Sequence, residues 1–208
     1  MKNLIVILLF TCCGTHLSAQ IKKIGGPCEG CEAIYESPVP FDKLEAFVKL
    51  PGASWDNKKP IAINGIIYQA DGKTPAPDVV LYLYHTNEKG VYPKKGNEKG
   101  WGKRHGYLRG WVKTDQKGAY KFVSVRPAPY PDKTEPAHIH ATVKEPNTNE
   151  YYIDEFVFSD DPLLTPEKRF KMENRGGSGI LQIHDVGNMF KAERNIYLGK
   201  NIPDYSAP

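Results

Sequence analysis

Short β-type runs recur along most of this chain, and they constrain its fold more than any other sequence feature. The runs are rich in β-branched and aromatic residues, and clusters of Gly, Pro, Asp, Asn and Lys separate them. They are IAINGIIYQ (61–69), VVLYLYH (79–85), YLRGWVKT (107–114), AYKFVSV (119–125), HIHATV (138–143) and YYIDEFVF (151–158). Because no helical pattern of about 10–15 residues lies between them, the spacing predicts an all-β fold, a single β-sandwich domain with long loops. LQIHDV (181–186) and ERNIYLG (193–199) are predicted to close the fold as a pair.

The length and composition fit one soluble domain with an added N-terminal arm. The chain has 208 residues, of which 40% are hydrophobic and 25% are charged, the balance of a globular protein. Residues 20–59 hold turn residues and one amphipathic stretch at 41–50, so we predict an irregular arm before a sandwich domain at residues 60–208. The net charge of +4 comes from 28 basic and 24 acidic residues, too mixed to favour nucleic acid as a partner. Assembly into a homo-oligomer is left open.

Residues 1–19 have the pattern of a signal peptide. Lys2 supplies the positive charge, residues 4–10 form a short apolar run, and residues 17–19 include small side chains where a peptidase can cut. We therefore expect an exported protein, periplasmic or extracellular. The apolar run is far shorter than the about 20 residues of a transmembrane helix, so no transmembrane segment is expected. Lipidation at Cys12 or Cys13 is the alternative, and it would give a membrane-anchored lipoprotein.

Removal of that leader leaves two cysteines, Cys28 and Cys31. An oxidising compartment and the lack of a second C-x-x-C motif favour a local disulfide over half of a zinc site. Pairing with another chain and a redox role stay open as alternatives.

The connection between the second and third runs is unusually long. It extends from His85 to Tyr107, whereas hairpin loops need about two to five residues, and long loops in compact domains are usually functional or disordered. It carries Tyr92, Trp101 and His105 among glycines and lysines. We therefore predict that this connection lies over a functional site.

The sequence His138-Ile139-His140 suggests a metal site. Side chains alternate faces along a strand, so both imidazoles point to one side and Ile139 points to the other. Tyr130 stands between two prolines a few residues earlier, and prolines restrict the backbone around it. A tyrosine held beside His-x-His is a candidate metal ligand.

Four motifs in order make residues 61–162 resemble the intradiol ring-cleavage dioxygenases. They are NGIIYQADGKTPAPDVVLYLYHTNEKGVYP, RGWVKTDQKGAYKFVSVRPAPYP, PAHIH and FVFSDDP. Each motif alone is a weak signal, but the order of YP, RPAPYP and AHIH is specific. By this resemblance the family's iron ligands correspond to Tyr92, Tyr130, His138 and His140, hereafter the tetrad.

The resemblance implies a mononuclear non-haem Fe(III) site and a small aromatic diol, a catechol, as substrate with O2. A hard ferric ion favours phenolate oxygens, and imidazole nitrogens complete its ligands. With two phenolates and one hydroxide the ferric site carries no net charge, so a diol dianion that displaces hydroxide and one phenolate buries no extra charge. In the implied reaction Tyr130 leaves the metal and accepts a substrate proton. Both oxygen atoms then enter the ring, which opens between its hydroxyl-bearing carbons to a muconate-type diacid.

Two positions depart from the family pattern. Relatives commonly carry Arg directly before PAHIH, where its charge stabilises negative charge on the substrate, but this chain has Glu135. Relatives also commonly carry Gln at the position of Glu155. Three alternatives follow for the catalytic role near Glu135. Another cation takes over, with Arg126 as the first choice and Lys133 or Arg104 as others; the substrate carries a cationic group; or turnover is weak.

Two other functions compete with ring cleavage. A metal-free, transthyretin-like β-sandwich could act as a binding module, but such a module has no reason to bring two tyrosines and two histidines together. A zinc hydrolase built on His138 and His140 lacks a convincing Cys or carboxylate ligand. The remaining histidines match no family role and are expected at the surface or in satisfied core positions: His85, His105 and His184.

Overall fold

The computed structural model describes residues 23–51 and 59–206. Its strands are β1 (Phe47–Lys49), β2 (Pro60–Tyr68), β3 (Val80–His85), β4 (Arg109–Lys113), β5 (Ala119–Val125), β6 (His138–Lys144), β7 (Tyr151–Phe158), β8 (Ile180–Leu181), β9 (His184–Asp185), β10 (Phe190–Glu193) and β11 (Ile196–Tyr197). Its helices are α1 (Gly102–His105), α2 (Pro166–Lys171) and two 3₁₀ helices, Cys31–Glu36 and Phe41–Lys43.

Two sheets pack face to face. In the described ranges one sheet has the order β1-β5-β2-β10-β9, with β11 also paired to β2, and the other has the order β4-β3-β6-β7-β8. The predicted all-β sandwich with long loops is therefore confirmed. The arm is irregular as predicted, although its residues 47–49 form β1 and pair in parallel with β5. The division into an arm at residues 20–59 and a domain at 60–208 stays a prediction.

Alternating side chains of the two sheets form the core between them. Phe122 in β5 and Phe156 in β7 are fully buried and meet edge to face, with ring centroids 5.7 Å apart. Burial of an aromatic side chain of this size contributes about 1.5–3 kcal/mol to the stability of the fold.

On the outer face of the five-stranded sheet, Ile34 of the first 3₁₀ helix packs with Tyr82 and Trp111. Trp111 Nε1 donates to the Ile34 carbonyl at 2.7 Å, so the arm is fixed to the sheet that contains β6.

The predicted pairing of the last two segments is wrong. β8 pairs in parallel with β7, and β9 pairs antiparallel with β10. β11 instead pairs in parallel with β2, where Ile196 lies opposite Ile67. Strands of two residues have little pairing preference of their own, so tertiary packing selects their partners.

The C-terminal segment approaches β2 closely at a glycine. A Cβ atom at Gly65 would collide with the carbonyl of Arg194. That carbonyl also accepts a hydrogen bond of 2.8 Å from the Tyr120 hydroxyl. Gly65 is therefore required for close contact between β2 and the chain that leads into β11.

The signal-peptide prediction falls on residues 1–19, and these residues, including Cys12 and Cys13, lie outside the described part of the chain. Export and lipidation stay predictions. Within residues 23–51 and 59–206, no helix has the length and hydropathy needed to cross a bilayer.

Candidate metal centre

Strand β6 places two tetrad side chains on one face of its sheet. Ile139 is fully buried in the core, while His138 and His140 are half-buried on the opposite face, as strand alternation predicts. The pairing between β6 and β7 shifts register between Ile139 and Ala141. Two residues of β7 therefore face His140 alone, the arrangement of a β-bulge, which re-aims side chains beside functional sites.

Tyr130 lies in the connection between β5 and β6, which main-chain contacts hold in place. Its carbonyl accepts from the Lys133 amide at 2.9 Å in a turn. The buried Asp161 carboxylate accepts from the Ala137 amide at 2.8 Å and the Leu163 amide at 2.8 Å. These contacts fix the chain directly before His138 and set the distance between Tyr130 and the two histidines.

The long connection after β3 delivers Tyr92 to the same point. Asn87 accepts from the Ala128 amide at 3.1 Å, and Thr86 Oγ1 donates to the Ala128 carbonyl at 2.7 Å. Gly90 then turns the chain with φ of +72°, and a Cβ at this position would strike the Pro129 carbonyl. Only glycine accommodates both the positive φ and this close approach. The loops that carry Tyr92 and Tyr130 are thus joined through their backbones.

The four tetrad side chains converge at their polar ends. Tyr92 Oη lies 2.5 Å from Tyr130 Oη and 2.9 Å from His140 Nε2. Tyr130 Oη lies 3.4 Å from His140 Nε2 and 3.2 Å from His138 Nε2. The two imidazole Nε2 atoms are 3.1 Å apart. The structure therefore brings together four atoms that come from three separate segments of the chain.

The outer hydrogen bonds of the histidines determine which nitrogens face the tetrad. His138 donates its Nδ1–H to the Pro136 carbonyl at 2.7 Å, so its Nε2 carries a lone pair. His140 Nδ1 lies 3.6 Å from the Glu155 carboxylate, which favours a proton on that nitrogen as well. The two Nε2 atoms then face each other as acceptors. A cation between them satisfies both lone pairs.

Burial opposes charge on these groups when no cation is present. Burial raises the pKa of Tyr92, and the hydrogen bond with Tyr130 raises it further. Burial also raises the pKa of Tyr130. The pKa of His138 is lowered by burial and then by the charge of His140, so the imidazole of His138 is neutral at pH 7. The phenols therefore need a neighbouring positive ion to deprotonate near neutral pH.

The donor set of the tetrad fits a hard, trivalent metal ion. The five separations among these atoms, 2.5–3.4 Å, are compatible with one shared metal ion, whose bonds to nitrogen or oxygen are about 2 Å long. Two phenol oxygens and two imidazole nitrogens suit ferric iron. The described residues contain no cluster of three or more His, Cys, Asp and Glu side chains that could hold a metal. A metal ion at the tetrad would therefore require tyrosine as a ligand.

A layer of aromatic rings supports the tetrad from behind. Tyr84 stacks on His140 with ring centroids 4.4 Å apart, and His105 stacks on the other face of Tyr84 at 3.7 Å. His105 Nδ1 is 2.8 Å from the Tyr82 hydroxyl.

The other two histidines lie as predicted. His85 is fully buried and its ring nitrogens contact the Thr86 carbonyl and Ser124 Oγ, both at 2.7 Å, so it occupies a satisfied core position. His184 is exposed, also as predicted.

Two cavities adjoin the tetrad and share Tyr84 and His140. The first has a volume of about 240 Å³ and extends to Glu155. The second has a volume of about 220 Å³ and is lined by both tetrad tyrosines, Trp101, Arg104 and His105. The long connection, from which Tyr92, Trp101, Arg104 and His105 come, thus lines the second cavity beside the tetrad; its position over a functional site stays a prediction.

The N-terminal arm forms one wall of this space. Cys28 and Cys31 form the predicted disulfide, with Cα atoms 5.7 Å apart. Glu29, between them, lines both cavities and forms an ion pair with Arg104. Sequence reasoning missed this contribution, because nothing in the C-x-x-C motif shows where the arm packs. The opposite charges of Glu29 and Arg104 are the one sequence feature that could have indicated this packing, but pairs of opposite charges are too common in sequences to predict a contact.

The residues singled out for catalysis beyond the tetrad are engaged in ion pairs at the surface. Glu135 lies 3.2 Å from Lys168 Nζ. Arg126 donates two hydrogen bonds to Asp160, at 2.8 and 2.6 Å. Neither residue lines the two cavities that adjoin the tetrad.

Glu155, unlike Glu135 and Arg126, lines the first cavity and also lies beside His140. Burial raises the pKa of Glu155, but the interaction of its carboxylate with the His140 imidazole outweighs that effect. The pKa of Glu155 is lowered to about 2. The site therefore keeps an ionised carboxylate beside His140.

Comparisons with known proteins support the family indicated by the motifs. The family model for Dioxygenase_C, described as Dioxygenase, matches residues 39–172. No curated protein matches the chain. Among solved structures, the dioxygenase domain of a dioxygenase carbohydrate-binding protein fusion from Streptomyces sp. SirexAA-E is 17% identical with a TM-score of 0.55, and the match covers 77% of this chain and 94% of that chain.

Two solved dioxygenase structures give similar results. Catechol 1,2-dioxygenase from Acinetobacter sp. ADP1 has a TM-score of 0.54 and 19% identity, over 74% of this chain and 57% of that chain. Hydroxyquinol 1,2-dioxygenase from Pseudomonas putida DLL-E4 has a TM-score of 0.53 and 19% identity, over 77% of this chain and 63% of that chain. This chain thus spans less than two thirds of either enzyme, and these likenesses establish a shared fold. Since the family model covers more than half of the chain and agrees with the order of its motifs, the chain belongs to the intradiol ring-cleavage dioxygenase family.

Proposed function

We propose that this chain is a non-haem Fe(III) dioxygenase that opens a catechol-type aromatic diol. Both atoms of O2 enter the product, and the ring is cleaved between the two hydroxyl-bearing carbons to a muconate-type diacid. The observation that carries this proposal is the convergence of the four tetrad atoms, five of whose six mutual distances lie at 2.5–3.4 Å. Family membership supports ring-cleaving dioxygenase chemistry, and the donor set supports the choice of metal.

In this proposal Tyr92, Tyr130, His138 and His140 hold the ferric ion. When bound, the ion supplies Lewis-acid chemistry that draws electron density from the diol and makes a ring carbon reactive toward O2. The Pro136 carbonyl and the Glu155 carboxylate orient the two imidazoles through their Nδ1 atoms. Such outer contacts fix the tautomer and the ring orientation of a ligating histidine.

Tyr130 is the proposed acceptor of a diol proton, at its Oη atom. It belongs to an irregular connection rather than to a strand, whereas His138 and His140 are fixed in β6. The Oη atom already shares a hydrogen bond of 2.5 Å with Tyr92. A side chain on a loop can change position with less disruption of backbone hydrogen bonds than one within a sheet.

Cations near the site bear on the charge of the substrate. Arg104 lines a cavity with the tetrad tyrosines and is paired there with Glu29, whereas Arg126 is paired with Asp160 and lines neither cavity. Of the cations proposed from sequence, Arg104 is the better placed to stabilise negative charge on the diol. Glu135 and Arg126 remain proposed catalytic contributors from outside the two cavities. Turnover of neutral, anionic and cationic catechols separates the alternatives, and equal rates on all three would argue against any charge preference.

The experiment that tests the function is anaerobic addition of catechol to iron-loaded protein, followed by air. We expect a phenolate-to-iron absorption band that shifts when the diol binds and decays with O2 as a ring-opened diacid forms. The Tyr130→Phe variant should change the visible band before any diol is added, because it removes one phenolate donor. Tyr68→Phe, in the opposite sheet, is the matched control and should leave the band unchanged.

A protein that stays colourless after iron loading would contradict the metal assignment and favour a metal-free binding module. A coloured protein that binds catechol but yields no ring-opened acid in air would retain the metal site and reject the reaction.

A further inference from the structure

Tyr84 occupies a special position relative to the tetrad. It lies in β3 directly opposite His140 in the register of the antiparallel β3–β6 pair. Directly opposite side chains on one sheet face contact each other, and aromatic pairs of this kind fix each other's orientation. The backbone pairing therefore places the Tyr84 ring against the ring of a proposed iron ligand.

The Tyr84 ring is held on both faces. The interplanar angle is 16° with His140 and 7° with His105, at centroid distances of 4.4 and 3.7 Å. Trp101 extends the stack beyond His105 at 5.3 Å. A ring enclosed in this way has one orientation, and so does the imidazole of His140 that it covers.

The hydroxyl of Tyr84 has no hydrogen-bond partner among the described residues. No described residue donates to it or accepts from it, whereas the Tyr82 hydroxyl, two residues away on the same face, meets His105 Nδ1. Tyr84 also lines both cavities that adjoin the tetrad. A half-buried hydroxyl at a cavity wall is a hydrogen-bonding group available to a ligand.

The two cavities that Tyr84 lines contain several polar groups. The two cavities are lined by carboxylates, a guanidinium and hydroxyl groups, namely Glu29, Arg104, Thr142, Tyr152 and Glu155. Such groups favour a ligand whose ring carries a polar substituent over one that carries an alkyl group, because only the polar substituent can form hydrogen bonds with them.

We propose that Tyr84 is a positioning and specificity-determining residue of this site. Its ring fixes the orientation of His140, and its hydroxyl bonds to a polar substituent on the aromatic diol. This inference rests on the proposed function for the identity of the ligand. The substrate class is therefore an aromatic diol with a hydroxyl, carboxylate or amine substituent on the ring.

The test uses Tyr84→Phe, which keeps the ring and removes the hydroxyl. The dissociation constant is measured anaerobically from the visible spectrum of the iron-loaded protein. The polar diols are 3,4-dihydroxybenzoate, hydroxyquinol and dopamine, and the diols without a polar substituent are catechol and 4-methylcatechol. We expect the variant to weaken binding of at least one polar diol by about three- to tenfold, the loss of one hydrogen bond. Binding of catechol and 4-methylcatechol should stay within twofold. Tyr107→Phe, which lines neither cavity, is the control.

A second variant, Tyr84→Leu, tests the ring. We expect Tyr84→Leu to bind Fe(III) more weakly than wild type and to have a shifted visible band without any diol. Tyr84→Phe, which keeps the ring, should have the iron affinity and the visible band of wild type. Thermal unfolding of the iron-free variants shows whether each one folds.

Equal weakening of all diols by Tyr84→Phe, or no weakening of any, would overturn the specificity role. Wild-type iron affinity and spectrum in folded Tyr84→Leu would overturn the positioning role. If wild type binds diols but opens none, the proposed reaction fails, and these binding measurements still decide the role of Tyr84.

Discussion

Glu36 joins three parts of the molecule, and its removal tests whether the N-terminal arm supports the site. Its carboxylate accepts from the Trp101 amide at 2.8 Å and from the Arg109 guanidinium at 2.7 Å. The Arg109 and Glu36 side chains are only 18% and 28% exposed, so solvent screens this pair less than a surface ion pair. Because each hydrogen bond to a charged group is worth about 1.5–3 kcal/mol, we expect Glu36→Ala to lower the free energy of unfolding by about 3 kcal/mol.

The assay is urea unfolding of the iron-free protein, with thermal unfolding as a second measurement. For a chain of this size a loss of about 3 kcal/mol corresponds to a fall of about 6–12 °C in Tm. Glu36→Gln keeps an acceptor and removes the charge, so it should lose about half as much. Since Trp101 begins the segment that carries His105, Glu36→Ala should also weaken Fe(III) binding.

The matched control for this prediction is Glu32→Ala in the same 3₁₀ helix. Glu32 is exposed, and surface substitutions usually change stability by less than about 0.5 kcal/mol. If Glu36→Ala and Glu32→Ala unfold at the same urea concentration, the arm does not stabilise the fold through this carboxylate, and the reasoning is refuted.

Three further predictions concern the core, the disulfide and a surface ion pair. Phe122→Ala should lower the free energy of unfolding by about 3–5 kcal/mol because it leaves a cavity in the core, and urea unfolding checks this value. Replacing Cys28 and Cys31 together with Ser should cost about 2 kcal/mol, since the loop that the disulfide closes is short, and should weaken diol binding measured by spectral titration. The Arg126 hydrogen bonds lower the pKa of Asp160 below its ordinary 3.8, so this pair contributes stability above pH 3.8 that is lost as the pH falls through the lowered value. Asp160→Asn should remove that part of the acid dependence, less than about 1 kcal/mol for so exposed a pair, and should change stability less as the pH falls below the lowered pKa.

The strand pattern was sufficient to predict the fold class. The runs at 61–69, 79–85 and 151–158 correspond to β2, β3 and β7 within a residue or two at each end, the usual uncertainty of strand limits. These strands bury one face, so their alternation is visible in the sequence. The short strands β8 to β11 carry no such pattern, and their partners depend on contacts that form between distant segments. Helix α2 has only six residues. Its N-cap, in which Thr165 accepts from the Lys168 amide at 3.3 Å, was not enough to predict the helix from the sequence.

The tetrad could be predicted because motif order specified its four members. Its supporting groups could not. Tyr84 is one of twelve tyrosines, and its importance arises from strand register against His140, which no motif encodes. Glu29 reaches the site only through the packing of the arm on the outer face of the sheet. His105 was assigned no role because the long connection has no pattern that places it beside Tyr84.

The pairing of β2 with β10 and β11 has a consequence for how the chain is made. Asn195 Oδ1 accepts from the Ile66 amide at 2.9 Å, a contact between residues 129 positions apart. Until the ribosome has released the final segment, β2 is an open edge whose backbone groups can template association with other chains. A truncation before Phe190 should therefore aggregate even though every tetrad residue is present, and folding of the intact protein should be slow, as expected when closure depends on distant contacts.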